Sequence, residues 1–399
     1  MKSPGADMPL STESEQTAAN LSNWRTAPFN QWAFHNVRSI IDVAEIASSP
    51  GNVLALPESA QALDDFAIQL PNGSSLNLQG FLRATATDGL VILRDGHIAF
   101  EFYANGNTQA APHILMSATK SVTGLVTGIL HHKDELDVDA PVSDYVPEIA
   151  ATAYQGATIR HLIDMRTGII LDDAQQRAYA DACGWDPVAA GEVPNFHDFY
   201  AHMGGTPVLH GGPFAYVSAN TDLLGWAIER AVKRSFAELA SDLLWKPMGA
   251  EGETYITVDR KGAPRCTGGL CATLRDFARL GQLVLMKGRR GSDQIVPEAW
   301  INDMAYGGDH EAWRTGQWAT NFASISKNMR YRSGWYVIDD APQILFAMGI
   351  HGQNLFVDRA NQIVIAKVSS QSQPVDPQAI WLTHKAVAEF ARCLGGQRA

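Results

Sequence analysis

Extended, β-rich runs stand near both ends of this chain, and a long, mostly helical stretch lies between them. That order limits the fold more than any other feature. Strands need strand partners for their backbone groups, so runs separated by a helical middle must meet in space. At 89–103 the text GLVILRDGHIAFEFY sets two such runs around Asp95-Gly96, a dipeptide suited to a two-residue hairpin turn. Near the other end, ILFAMGIHGQNLFVD and IVIAKVSS flank a four-residue turn and read as two more strands. An amphipathic helix is predicted after them, through Ala379, Leu382, Ala386, Phe390 and Leu394. Between the strand groups, helices are predicted at 115–132, at 221–235 and after Thr273, where Thr273-x-x-Asp276 fits a capping box. The expectation is an α+β fold: an antiparallel sheet built from both chain ends and flanked by helices. A mostly helical region, at about 131–290, is inserted between the sheet halves. Residues 1–85 read as a polar arm, to about residue 20, and a leader that packs on a body at 86–399.

Charge and cysteine usage narrow the partners. A formal net charge of -11 argues against nucleic acid and anionic membrane surfaces, both of which need basic protein faces. No run approaches 18 apolar residues, so no transmembrane helix is expected, and no secretory signal is visible. Cys183, Cys266, Cys271 and Cys393 form no CxxC pair and read as reduced thiols of a cytoplasmic protein. His131-His132 and the pair His197 and His202 suggest a metal site at first sight. The latter pair is spaced i, i+5, which does not share a helix face as an i, i+4 zinc pair does, so no metal is expected. No cofactor is implied, and both a monomer and a homodimer are open.

The chemistry is carried by Met116-Ser117-Ala118-Thr119-Lys120-Ser121, which opens an apolar helix. Positions i and i+3 share a helix face, so the Lys120 amine reaches the Ser117 hydroxyl. A serine is a poor nucleophile until a base takes its proton, and a buried lysine loses its own proton readily enough to be that base. A helix N-terminus also stabilises an oxyanion beside the nucleophile. Ser-x-x-Lys alone is common. Its weight here comes from lying among Met116, Val122 and Leu125, where a lysine must find a partner. A second piece is Phe214-Ala215-Tyr216-Val217-Ser218-Ala219-Asn220, after a glycine-rich loop and before a predicted helix. Tyr216 is placed to shuttle a proton, although a buried tyrosine with a satisfied hydroxyl is the commoner case. A third is Ala347-Met348-Gly349-Ile350-His351-Gly352-Gln353, where glycine allows a strand to approach the nucleophile closely. His351 is a candidate base or substrate contact, but a lone histidine between strands is more often structural.

In this order the three pieces resemble the serine β-lactamase and penicillin-binding-protein superfamily, with its Ser-x-x-Lys, Tyr-x-Asn and Lys-Thr-Gly motifs. Thr158-Ile159-Arg160-His161-Leu162-Ile163 and Gly268-Gly269-Leu270 through Ala278-Arg279 resemble further family segments. Within it, Asn30-Gln31-Trp32-Ala33-Phe34 and Tyr216 through Asp222 are most similar to the 6-aminohexanoate-dimer hydrolases and related carboxylesterases. The resemblance implies Ser117 as acyl-accepting nucleophile, Lys120 as its base and Tyr216 as proton donor to the leaving group. It implies an oxyanion hole from the N–H groups of Ser117 and Ile350, or of Asn354 if the third motif lies in the other register. Trp185 resembles the family's loop tryptophan. Tyr179 and Asp181 are the nearest counterparts of groups that hold the substrate, and Ser218 stands where the second motif has asparagine. The third-motif lysine is absent, which counts against β-lactam or peptidoglycan substrates. The implied activity is hydrolysis of a small linear amide or ester. A carboxylesterase without amidase activity, a β-lactamase-type enzyme and a non-catalytic binding protein are the alternatives. An acid such as Asp181 or Asp186 facing the pocket would favour amine-bearing amides, and an apolar wall would favour simple esters.

Overall fold

A computed structural model describes residues 18–395 of the chain. The arm expected at the N-terminus lies mostly outside the described residues. Eleven strands define the two sheets that matter for the site. They are β1 (Val43–Glu45), β2 (Thr87–Arg94), β3 (His97–Tyr103), β4 (Pro112–Ile114), β5 (Thr254–Thr257), β6 (Leu270–Thr273), β7 (Met329–Arg332), β8 (Trp335–Ile338), β9 (Ile344–Gly349), β10 (Gln353–Asp358) and β11 (Ile363–Ser369). The larger sheet is antiparallel throughout, in the order β7-β8-β9-β10-β11-β2-β3. Its two halves join where β11 pairs with β2, Ile365 opposite Ile92. The hairpin between β2 and β3 turns on Asp95 (φ 48°) and Gly96 (φ 79°), the left-handed pair that a type I′ turn requires.

Both faces of this sheet are covered, so its strands are apolar on both sides. Val91, Leu93, Leu355 and Val364 look one way, toward the helix α4 (Leu274–Leu285). Gly281 lets α4 settle closely: a Cβ there would stand 2.4 Å from Val364 Cγ1. Leu90, Ile92, Phe356 and Ile365 look the other way, toward α5 (Pro377–Gly395), whose buried stripe includes Ala379, Leu382, Ala386, Phe390 and Leu394. Thr273 caps α4, accepting from the Asp276 N–H and donating to its carboxylate.

The helices that matter for the site are α1 (Thr119–His132), α2 (Asp173–Ala182) and α3 (Ser218–Val232). One sequence expectation needs revision. The run ILFAMGIHGQNLFVD is two strands, not one. A short turn at Ile350–Gly352 breaks it, with His351 (φ 61°) and Gly352 (φ 93°) both left-handed. The region 131–290 also carries two strands, β5 and β6, which pair with β1 and β4 in a second sheet, ordered β1-β5-β6-β4. The leader is thus sewn into the body: β1 is an edge strand of that sheet, and Trp24, Phe34, Val37 and Ile41 belong to the main core.

Candidate active site

Ser117 sits on a single tight turn, Met116–Ala118, that runs directly into α1. Met116 takes a left-handed φ of 46°, a strained value for a side chain of that size and a feature concentrated at functional sites. The turn leaves Ser117 partly exposed, while Met116 and Ala118 on either side are buried. Lys120, one turn on, is 2% exposed. Its Nζ stands 3.0 Å from Ser117 Oγ and 2.9 Å from the carbonyl oxygen of Thr267. Burial holds the Lys120 amine well below the usual lysine range; Asp222 partly opposes that, and the Arg265 guanidinium adds to it.

Tyr216 lies just ahead of α3. Its ring centroid is 4.7 Å from Lys120 Nζ, and it lines the same cleft as Ser117. Burial raises its phenol above the ordinary tyrosine range, so it keeps its proton. Trp318 stacks on it at 4.3 Å, and Gln317 accepts the Tyr216 N–H, so the ring has little freedom to swing.

The end of β9 completes the constellation. A Cβ on Gly349 would lie 2.9 Å from the Ser117 nitrogen and 2.6 Å from the Leu115 carbonyl, so only glycine brings this strand so close. The strand therefore carries Ile350 next to the nucleophile, and among the described residues neither its N–H nor that of Ser117 is used by a turn or loop hydrogen bond. Asn354 also lines the cleft, but it lies within β10, paired across to Met348, and its side chain donates to the Gly352 carbonyl.

The remaining sequence candidates divide. Trp185 and Ser218 line the cleft; Trp185 is anchored by a bond from Nε1 to Thr257 Oγ1 at 3.0 Å. Tyr179, Asp181 and His351 do not line it. Tyr179 faces the interior, donating to Asp222 at 2.5 Å and accepting from Arg265 at 2.9 Å. Asp181 is exposed on the surface end of α2, and its carbonyl receives Arg260. His351 is turned inward by its left-handed backbone. Its Nδ1 bonds the Gln371 carbonyl, Phe34 packs edge-on against it, and burial lowers its pKa.

Sequence reasoning missed the group behind the lysine. Asp222, on α3, accepts from Arg265 at 2.7 Å and from the Thr267 N–H at 2.8 Å. Thr267 in turn offers its carbonyl to Lys120, so this buried pair positions the base through one peptide. The available signal was an aspartate followed by Leu223 and Leu224 at the start of an apolar helix, a buried charge in need of a partner. The partner itself is 43 residues away and carries no local mark.

The cleft in front of Ser117 has a volume of about 390 Å³. One wall is aromatic and aliphatic, with Trp318, Phe322, Ile325, Ile380 and Trp381. Among the described residues lining it, Arg25 and Arg265 carry charge and no carboxylate does. No group of histidine, cysteine and acidic side chains suited to a metal ion occurs among the described residues.

The chain is 31% identical over 363 residues to a 6-aminohexanoate-dimer hydrolase of Paenarthrobacter ureafaciens, covering 89% of this chain and 88% of that one. A candidate 6-aminohexanoate-dimer hydrolase from Bacillus anthracis superposes with a TM-score of 0.84 at 23% identity, covering 94% of this chain and 97% of that one. A D-stereospecific amidohydrolase from Streptomyces superposes with a TM-score of 0.58 at 18% identity, covering 78% and 96%. The family model described as Beta-lactamase matches residues 78–389, and with a serine, a buried lysine and a tyrosine converging at one cleft, the chain belongs to that family.

Proposed function

We propose that this protein hydrolyses small linear amides or esters through an acyl-enzyme on Ser117. The observation that carries the reading is the 3.0 Å contact between Ser117 Oγ and a lysine whose burial favours the free amine. The Lys120 amine takes the hydroxyl proton as Oγ attacks the substrate carbonyl. The developing oxyanion is held by the N–H groups of Ser117 and Ile350. Tyr216 gives its proton to the departing nitrogen or oxygen and recovers one from Lys120. Water then repeats the sequence on the acyl-enzyme and releases the acid.

The apolar wall and the lack of a lining carboxylate favour esters and amides without a free ammonium over the 6-aminohexanoate dimer named for the relative. The third motif reads Ala347-Met348-Gly349, which leaves no lysine there for a β-lactam carboxylate. We place the protein in the cytoplasm. The four cysteines are free and three are buried, which suits a reducing compartment, and no helix among the described residues is long and apolar enough to cross a membrane.

The test is hydrolysis of p-nitrophenyl acetate and butyrate by wild type and Ser117→Ala, with intact-mass detection of an adduct. A burst and an acyl adduct are expected in wild type. Ser117→Ala is expected to lose the adduct and roughly a thousandfold or more in rate. An adduct on another residue, or equal rates in both proteins, refutes the mechanism.

A further inference from the structure

The charged side chains lining the cleft are both cationic, although the whole chain carries a formal net charge of -11. Arg25 and Arg265 lie far apart in the sequence and meet at one indole. The guanidinium of Arg25 stands 5.8 Å from the Trp185 ring centroid, and that of Arg265 stands 4.8 Å from it. Each is held by one acid outside the cleft lining, Arg25 by Asp186 and Arg265 by Asp222. Neither exhausts its donors on that acid. Arg265 spends Nη1 on Tyr179 and Asp222, its Nε is buried without a partner, and its Nη2 makes no hydrogen bond among the described residues. Arg265 is only 8% exposed, so a guanidinium with spare donors has been desolvated at the pocket wall. Such a group gains most from an anion that supplies acceptors in its plane. Arg25 is one-third exposed at the rim and keeps Nε and Nη1 unbonded among the described residues. The acids are turned to the arginines, so a substrate ammonium entering the cleft meets two cations and no counter-charge.

We infer that Arg25 and Arg265 form a carboxylate subsite, and that the substrate of this enzyme bears a carboxylate at the end lying along Trp185 and an apolar group at the end lying along Trp318. The inference rests on the cleft at Ser117 being the substrate site, as proposed above. An anionic half-amide or half-ester fits both ends. A zwitterionic or cationic amide fits one.

The test separates binding from turnover. In Ser117→Ala, which cannot acylate, calorimetry compares the monoanilide of adipic acid with hexananilide and with the anilide of 6-aminohexanoic acid. The adipic monoanilide is expected to bind at least about tenfold more tightly than the neutral anilide, a modest figure for a charge-assisted pair. The ammonium-bearing anilide is expected to bind most weakly. Adding Arg265→Gln should collapse the ratio of anionic to neutral affinity toward one. Arg25→Gln, at the partly exposed rim where folding is not at stake, should reduce it. Equal affinity for the three anilides overturns the inference, as does a preference for the ammonium or a preference that survives both substitutions. Wild type hydrolysing neutral esters while showing no anionic preference defeats the subsite and leaves the acyl-enzyme standing. An anionic preference lost with either arginine, in a protein that turns over no ester, supports the subsite and defeats the acyl-enzyme.

Discussion

The chemistry rests on how one residue, Lys120, is kept uncharged. A lysine in water holds its proton to a pKa near 10.5, and at neutral pH it is then a cation with no lone pair to offer. Here burial disfavours the cation and Asp222 partly restores it. The base is needed unprotonated, so kcat/KM rises as pH climbs through the Lys120 pKa, with a midpoint expected well below 10.5. Tyr216 is needed protonated, and its raised pKa delays any falling limb beyond the ordinary phenol range. Asp222→Asn removes the charge that stabilises the ammonium and leaves Arg265 uncompensated. Both effects favour the free amine, so the rising limb of the pH–rate profile should move to lower pH. An unmoved limb, or one moved upward, shows that Asp222 does not act on the base. The Ser117 and Lys120 pairing was legible from spacing because i, i+3 geometry is local to a helix. The Asp222–Arg265 pair behind it was not, because it depends on how α3 and the chain before β6 come together.

Among elements, the broken strand β9–β10 matters most. A continuous strand would carry Ile350 past the nucleophile, with its N–H committed to a neighbouring strand. The left-handed residues His351 and Gly352 end the ladder at Gly349 and free the next N–H beside Ser117. Gly349→Ala puts a methyl group 2.9 Å from the Ser117 nitrogen. It should cost about 10²–10³-fold in kcat, the typical effect of losing an oxyanion donor. Circular dichroism and the melting curve check that the fold remains. A variant with near-normal kcat would place the oxyanion donor elsewhere, with Asn354 next in line. The sequence marked this region through its glycines and the strand character around them. It did not mark the break, since GIHG within a β-rich run reads equally as a bulge or as continuous strand. The same limit explains His351: residue type nominates it for catalysis, and its backbone conformation turns it away. Asp181 was nominated by resemblance alone, and nothing local says that it lies on a helix, α2, or which face of that helix meets solvent.

For the molecule as a whole, the leader is a structural part and not an accessory. Trp24 packs at right angles to Trp185, 5.1 Å between ring centroids, and its Nε1 donates to the Trp185 carbonyl at 3.0 Å. Asn30 donates to the carbonyls of Ser370 and Gln371, tying the leader to the segment after β11. Trp24→Ala empties a fully buried indole site and should lower the unfolding free energy by about 3–5 kcal/mol, measured by urea denaturation. Because Trp185 loses its support, affinity for substrate should weaken in the same variant. A change under about 1 kcal/mol would mean that the leader is only loosely attached. The sheet built from both ends was readable, since β-branched apolar runs around a hairpin turn need little context. The second sheet was not, because β1, β4, β5 and β6 are three- and four-residue strands whose pairing is set entirely by tertiary contact.

The joint between β2 and β11 has a further consequence, in time. Strand β2 is among the first parts of the body to leave the ribosome and its partner β11 is among the last, yet the two lie side by side within the sheet. Until β11 arrives, the hairpin of β2 and β3 has an open, largely apolar edge, a template for the wrong partner. At a synthesis rate of roughly 5–20 residues per second, that edge stands bare for many seconds. The cell has to shelter a half-made hydrolase for that interval. Chains stopped before Ile363 should therefore aggregate, whichever catalytic residues they already contain.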